Sequence, residues 1–454
     1  MIRHPSPRRS RTPPGPLGTV GAALLASAAT LSFWGLAAMP ARAELQVNVT
    51  QGVTDPIPIA IVPFARAVPA DGGLDLAGVV QHDLESSGRF RAMQRRDMLS
   101  TPTRAAEVQS ADWKAAGNDY VLVGRVTAPT ASEIDVECDL LNTLTGQRIG
   151  GKRFVATGAS LRNAAHMVSD FVYESILGVR GAFATRIAYI AVQGQAPTQH
   201  FQLIVADSDG ESPKVILESN QPIMSPAWSP DDQWLAYVSF ENRLSGVYIQ
   251  RVRTGERRLV SQRVGVNGAP AFSPDGTRLA LTLSGSGGNL DIWLLELSTQ
   301  ALTRLTDDPA VDTEPSWSPD GKSIYFTSDR AGGPQIYKLD IANPRRVQRI
   351  SFGSGYDARP RVSPDGTKLA VVTREGGNYR IAVQDLASGT VSVLSRGSLD
   401  ESPSFAPNGA TIIYAGREGS VGTLQTVSVD GQVTQRLTSS QGELREPAWE
   451  PFQR

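Results

Sequence analysis

The chain has 454 residues, 44 basic against 45 acidic, 40% hydrophobic and 20% charged, which is ordinary globular composition for two or three domains and excludes a disordered or fibrous chain. The near-neutral charge argues against a nucleic-acid backbone as main partner. A single cysteine, Cys138, leaves no internal disulfide and no thiolate metal cluster, and His4, His82, His166 and His200 lack metal-ligand spacing.

Residues 1–43 carry five arginines and no acid, an apolar run from Leu17 to Met39, and the small-x-small pattern Ala41-Arg42-Ala43. This predicts a cleaved export signal, with Arg8-Arg9 leaving the twin-arginine route open beside the general one. Removing it leaves 39 basic against 45 acidic residues, a net charge of −6, and no further stretch long enough to span a membrane. The mature chain is expected to be exported, soluble, monomeric and not membrane-embedded.

Residues 44–180 read as a small α/β domain. Leu45–Thr50 alternates as a short strand and Pro58–Phe64 reads as a buried one. Leu76–Ser87 has helical spacing and ends at Gly88; Asp119–Val126 and Glu133–Leu141 are strands; Leu161–Leu177 is a second helix stopped by Gly178. In Val136-Glu137-Cys138-Asp139-Leu140 the alternation places Cys138 on the apolar face as a buried, inert thiol. His82 and His166 fall on the two helices as surface or packing residues. The stretch Gly178–Ala184 joins this domain to the next.

From residue 181 to 454 a motif recurs: Pro226-Ala-Trp228-Ser-Pro-Asp-Asp, Pro270-Ala-Phe272-Ser-Pro-Asp-Gly, Pro315-Ser-Trp317-Ser-Pro-Asp-Gly, Pro360-Arg-Val362-Ser-Pro-Asp-Gly, Pro403-Ser-Phe405-Ala-Pro-Asn-Gly and Pro447-Ala-Trp449-Glu-Pro. The key positions lie 44, 45, 45, 43 and 44 residues apart, the period of a β-propeller built from short strands. After each turn comes a strand such as Trp234–Phe240 or Ser323–Asp329, then two more, which makes four per blade. Asp-Gly or Asn-Gly supplies the positive φ of a tight hairpin turn. Arg186–Val192 matches the strand after the turn but lacks a turn before it, and the last copy stops after Trp449. One partial copy at each end makes a composite blade, so the fold class is a small α/β domain followed by an all-β six-bladed propeller, closed without a free sheet edge.

No nucleophile elbow, Walker loop, His-Glu-x-x-His or phosphate-binding glycine motif occurs, so an enzyme is not expected. The residues just before each Pro-x-aromatic come from every blade to one end of the channel: Met224-Ser225, Asn267-Gly268-Ala269, Asp312-Thr313-Glu314, Asp357-Ala358-Arg359, Asp400-Glu401-Ser402 and Leu444-Arg445-Glu446. They form a polar, carboxylate-rich ring with Arg359 and Arg445 as counter-charges, suited to docking a protein surface. No cofactor is expected; a cation such as calcium in the acidic channel is left open.

The export signal, the α/β domain and the six motif copies resemble the TolB family of the periplasmic Tol–Pal system. Further carriers of the resemblance are Pro58-Ile-Ala-Ile-Val-Pro-Phe64, Thr185-Arg-Ile-Ala-Tyr189, Met224-Ser-Pro-Ala-Trp-Ser-Pro230, Asn267-Gly-Ala-Pro-Ala-Phe272, Thr313-Glu-Pro315 and Pro334-Gln-Ile-Tyr-Lys338. The resemblance implies a non-enzymatic adaptor linking inner-membrane Tol components to the lipoprotein Pal, serving outer-membrane integrity and constriction at division. It implies Pal docking at the mouth, on Met224, Ser225, Asn267, Gly268, Ala269, Asp312, Thr313, Glu314, Ala358, Arg359, Glu401, Ser402 and Arg445. It also implies TolA binding through the mobile segment Glu44-Leu45-Gln46-Val47-Asn48-Val49-Thr50-Gln51-Gly52-Val53-Thr54-Asp55, coupled to Pal binding. The chain departs from the family at Val266, where a histidine is frequent. Prolyl-oligopeptidase-like gating propellers share Ser-Pro-Asp-Gly turns but require an α/β-hydrolase domain, for which residues 44–180 offer no nucleophile motif.

Overall fold

The computed structural model describes residues 45–66, 73–285, 287–439 and 442–452; the expected export signal and Glu44 lie outside them. In the N-terminal domain a mixed sheet is formed by β2 (Ile57–Ile61), β3 (Ala65–Arg66), β4 (Phe90–Ala92), β5 (Tyr120–Thr127), β6 (Ile134–Asn142) and β7 (Gln147–Ala156). Its order is β4-β2-β5-β6-β7, with β3 on β5. The strand β2 runs parallel to β4 and β5, and the β5-β6-β7 meander is antiparallel. Helices α1 (Leu76–Ser86) and α3 (Leu161–Leu177) cover one face through Val80, Leu84, Ala165 and Val168 on Ile59, Ile61, Leu122 and Leu140. The short α2 (Ser110–Ala115) sets Trp113 against Ala60, Val121 and Val123 on the other. Asp75 caps α1 by accepting the Gly78 N–H at 3.1 Å, and Gly178 ends α3 at φ 71°, a conformation that glycine adopts without steric penalty.

Three elements differ from expectation. The strand β4 and helix α2 are short and β7 is mostly exposed, so none carries a strong period. Cys138 is 3% exposed and its thiol is pushed up to about 12 by burial, in keeping with an inert group.

The propeller has six blades. Its innermost strands are Ile223–Trp228, Asn267–Phe272, Asp312–Trp317, Asp357–Val362, Glu401–Phe405 and the C-terminal Glu443–Trp449. The last pairs with β8 (Arg186–Gln193), followed outward by β9 (His200–Asp207) and β10 (Lys214–Ser219), so the composite blade closes the ring as expected. The strand β1 (Leu45–Gln51) docks antiparallel on Thr434–Ser439 and gives the last blade a fifth strand.

The motif residues explain the ring. Each motif serine folds back over its turn: the Ser273 Oγ accepts the Arg278 N–H at 3.0 Å, and Ser318 and Ser363 do the same for Ser323 and Lys368 at 2.9 Å. The following glycines stand at φ 68–74° (Gly276, Gly321, Gly366, Gly409), and Asp232 replaces glycine at 57°. Two of the motif tryptophans tie neighbouring blades through their indole N–H groups. Trp228 Nε1–H donates to the Ala448 carbonyl and Trp317 Nε1–H to that of Ala271, each at 3.0 Å. Apolar side chains from adjacent blades fill the space between sheets, as where Trp317, Ile324 and Phe326 meet Ala280, Ile292 and Leu294. Among the described residues no helix is long and apolar enough to cross a membrane.

Candidate functional site

All six innermost strands carry the same interruption at their first third. Pairing with the second strand runs Met224↔Val238 and resumes at Ala227↔Ala236, and the corresponding break recurs in every blade. The residue before each motif proline is non-glycine with a positive φ: Ser225 53°, Ala269 45°, Glu314 56°, Arg359 54°, Ser402 53° and Glu446 48°. Each such residue costs on the order of 1–2 kcal/mol, a strain that persists only where surrounding contacts hold it.

The contacts that hold it run from blade to blade. The Ser225 N–H donates to the Glu446 carboxylate at 2.5 Å. The Glu314 N–H donates to Thr282 Oγ1 at 3.2 Å, and the Arg359 N–H is shared between Glu314 and Thr327 Oγ1 at 3.0 Å each. Glu314 also accepts from Thr327 Oγ1–H at 3.0 Å and pairs with Arg359 Nε at 3.1 Å. Arg359 Nη1–H reaches Ser402 Oγ, and Nη2 lies 3.6 Å from Glu401. Burial opposes the Arg359 charge, but Glu314, Glu446 and Glu401 outweigh it and raise its pKa above the usual guanidinium range.

These residues surround a cavity of about 620 Å³ that runs from the ring to the motif prolines at the other end. Met224, Ser225, Ala269, Thr313, Glu314, Arg359 and Ser402 line it as the sequence led one to expect. Glu446 lines it too. The expected ring is otherwise corrected. Asn267, Asp312 and Ala358 are buried at 1%, 0% and 4% exposure. Asn267 is spent on Ser261 and Arg263, and Asp312 on Arg330 at 2.7 Å, so they hold loops rather than face the channel. Gly268, Glu401 and Arg445 lie outside the lining, Arg445 paired with Glu443 at 2.5 Å.

Sequence reasoning missed Arg361, which lines the channel where the other blades have Ala227, Ala271, Ser316, Ser404 and Ala448. That exchange of a small residue for arginine was the available signal. Burial lowers its pKa, against the pull of Glu314 and Glu446. Loops at the same end also expose Leu244, Val264, Val266 and Phe352, at 53, 92, 44 and 71%. A polar, preformed concavity with an apolar rim can grip a protein surface.

Among the described residues no trio of ligand-type side chains converges in the channel. The one such group, Asp83, His166 and Asp209, lies at the join of the two domains, where the Arg162 guanidinium already sits on Asp209. The strand β1 is far simpler chemically, offering a backbone ladder from Leu45↔Ser439 to Gln51↔Thr434. Gly52 follows it against Gly88, which ends α1.

Comparison with known proteins agrees with this architecture. Residues 45–149 match the model of the TolB amino-terminal domain, and residues 173–453 match that of the TolB beta propeller domain. The Tol-Pal system protein TolB of Methylococcus capsulatus is 50% identical over 418 residues, 92% of this chain and 96% of that one. That of Alcanivorax borkumensis is 48% identical over 422 residues, 93% and 95% of the two chains. The crystal structure of TolB from Acinetobacter baumannii superimposes with a TM-score of 0.83 at 41% identity, covering 90% of this chain and all of that one. The chain belongs to the TolB family of Tol-Pal system proteins.

Proposed function

We propose that the chain is a periplasmic adaptor of the Tol–Pal system that receives Pal at the propeller mouth and TolA through residues 44–55, and so supports outer-membrane integrity and constriction during division. The observation that carries the reading is the sixfold strained ring. Six non-glycine side chains of four kinds are held at positive φ around one opening, and strain of that kind marks a surface kept ready for a ligand. Met224, Ser225, Ala269, Thr313, Glu314, Arg359, Ser402 and Glu446 are the proposed contacts. Asn267, Gly268, Asp312, Ala358, Glu401 and Arg445 support or flank them. No cofactor is required.

The TolA part draws on β1. A strand that adds to a sheet edge through its backbone can be exchanged for pairing with another chain. Withdrawing it from Thr434–Ser439 would free both the segment and the blade edge, which couples one partner's binding to the other's. A photocrosslinking residue placed at Met224 is expected to trap Pal in living cells. The same residue at Leu259, exposed on an outer strand, is expected to trap none. Adducts from Leu259 but not Met224 would move the site, and adducts from neither would refute the adaptor reading.

A further inference from the structure

The join between the two domains holds a buried charge cluster that neither the mouth nor β1 uses. His166 on α3 is 1% exposed and Asp83 on α1 is 0% exposed. The His166 Nδ1 lies 2.8 Å from Asp83 Oδ2, and Ser169 Oγ–H donates to the same oxygen at 2.5 Å. The other ring nitrogen, Nε2, is buried and has no hydrogen-bond partner. It faces the propeller, 3.9 Å from Asp207 Oδ2 at the end of β9 and 3.8 Å from Asp209 Oδ2 in the turn that follows.

Among the described residues the charges facing the imidazole can be named. Asp83 comes from α1, Asp207 and Asp209 come from the propeller, and Arg162, one turn earlier on α3, contacts Asp209 and lies 3.4 Å from Asp207. Glu211 acts on Arg162 from further out. One turn later, Asp170 accepts the N–H groups of Phe183 at 2.8 Å and Ala184 at 3.3 Å in the interdomain connection. Three carboxylates thus stand around the imidazole against a single guanidinium. A neutral ring donating from Nδ1 to Asp83 would aim its Nε2 lone pair at two further carboxylates, which is repulsive. A protonated ring would aim an N–H at them instead, forming a charge-assisted bridge between domains. Arg162 already occupies Asp209, which favours a proton over a metal ion as the neutralising charge.

We propose that His166 is a proton-operated clamp: its imidazolium joins Asp83 of the N-terminal domain to Asp207 and Asp209 of the propeller, and loss of the proton loosens that docking. Burial works against the imidazolium, but Asp83, Asp209 and Asp207 outweigh it and raise the His166 pKa above its ordinary value. The sign follows from linkage. The contribution is complete below the unfolded-state value of about 6.5 and is lost as pH rises through the higher folded-state value. Burial also raises Asp170, to about 6, so its own transition lies on the acid side of that window.

The test is a pH titration of the purified chain carrying ¹³C-labelled histidine, with the His166 signal identified by its loss in His166→Gln. In parallel, cleavage of the connection at residues 178–184 by a low dose of protease is followed against pH. The wild-type His166 signal is expected to titrate above the free-imidazole midpoint, and cleavage to accelerate over the same range. In Asp209→Asn, which leaves the N-terminal domain untouched, the midpoint should move to lower pH and cleavage should be fast already at neutral pH. A wild-type midpoint at or below that of free imidazole overturns the clamp without recourse to any variant. So does equal pH dependence of cleavage in wild type and Asp209→Asn. Stoichiometric zinc uptake that His166→Gln abolishes also overturns it, by making the cluster a metal site.

Discussion

Truncating Trp228 tests how the ring is held shut. Its side chain is 8% exposed at the seam between the Ile223–Trp228 strand and the C-terminal strand. Its indole N–H donates to the Ala448 carbonyl at 3.0 Å, and the Arg186 guanidinium lies 4.9 Å over its ring. Trp228→Ala removes a large buried ring, worth about 3–5 kcal/mol, and one hydrogen bond to a carbonyl that also sits in the strand ladder, worth about 0.5–1.5 kcal/mol more. Against a total stability on the order of 5–15 kcal/mol, that is a severe loss. Trp228→Phe keeps most of the packing and a weaker cation–π contact while losing the hydrogen bond, for about 1–2 kcal/mol. Equilibrium urea unfolding followed by circular dichroism separates the two. The expected order of midpoints is wild type, then Trp228→Phe slightly lower, then Trp228→Ala far lower. A Trp228→Ala midpoint within error of wild type would refute the claim that this seam is a packed interlock. A Trp228→Phe loss equal to that of Trp228→Ala would refute the division between packing and hydrogen bond.

Asp275 is held down at about 2 by the Ser273 hydroxyl and then by the Thr277 N–H. Its stabilising contribution is therefore present above about 3.9 and lost as pH falls toward the folded-state value; Asp275→Asn should flatten acid unfolding in that window, and an unchanged acid limb would oppose the assignment. Cys138, raised to about 12 by burial, should resist iodoacetamide at pH 8 until the chain is unfolded, and rapid native labelling would contradict its burial. Deleting residues 45–51 should speed amide exchange in Thr434–Ser439, the strand they cover, while leaving the innermost strands protected. Unchanged exchange there would show that the edge does not depend on β1.

The period of Pro-x-aromatic copies carried blade number and ring closure because the same residues make the turns and the interlocks. A turn that needs Ser, Asp and Gly at fixed positions writes itself into the sequence. The strained ring does not, since Ser, Ala, Glu, Arg, Ser and Glu share no chemistry; the geometry is imposed by hydrogen bonds from the neighbouring blade. Asp312 read as a surface acid because its partner Arg330 lies beyond the next strand. The strand β7 escaped notice because Gly150 and Gly151 interrupt a mostly exposed run. The pairing of β1 with the far end of the chain left no local trace, although its alternation was visible. His166 was legible only as a surface or packing residue, because its partner Asp83 lies 83 residues away and the two propeller carboxylates are brought to it only by domain docking.

The central claim is that the mouth of the propeller is the docking surface for Pal. It is tested most directly by titration calorimetry of the purified chain against the soluble domain of Pal from the same organism. The comparison is a Glu314→Lys, Arg359→Glu double variant that leaves net charge unchanged but inverts the pair at the opening. The account predicts tight one-to-one binding by the wild type and at least a tenfold weaker complex with the variant, which corresponds to about 1.4 kcal/mol. Equal affinity of the two proteins would contradict the site, and no binding by a folded wild-type chain would contradict the function.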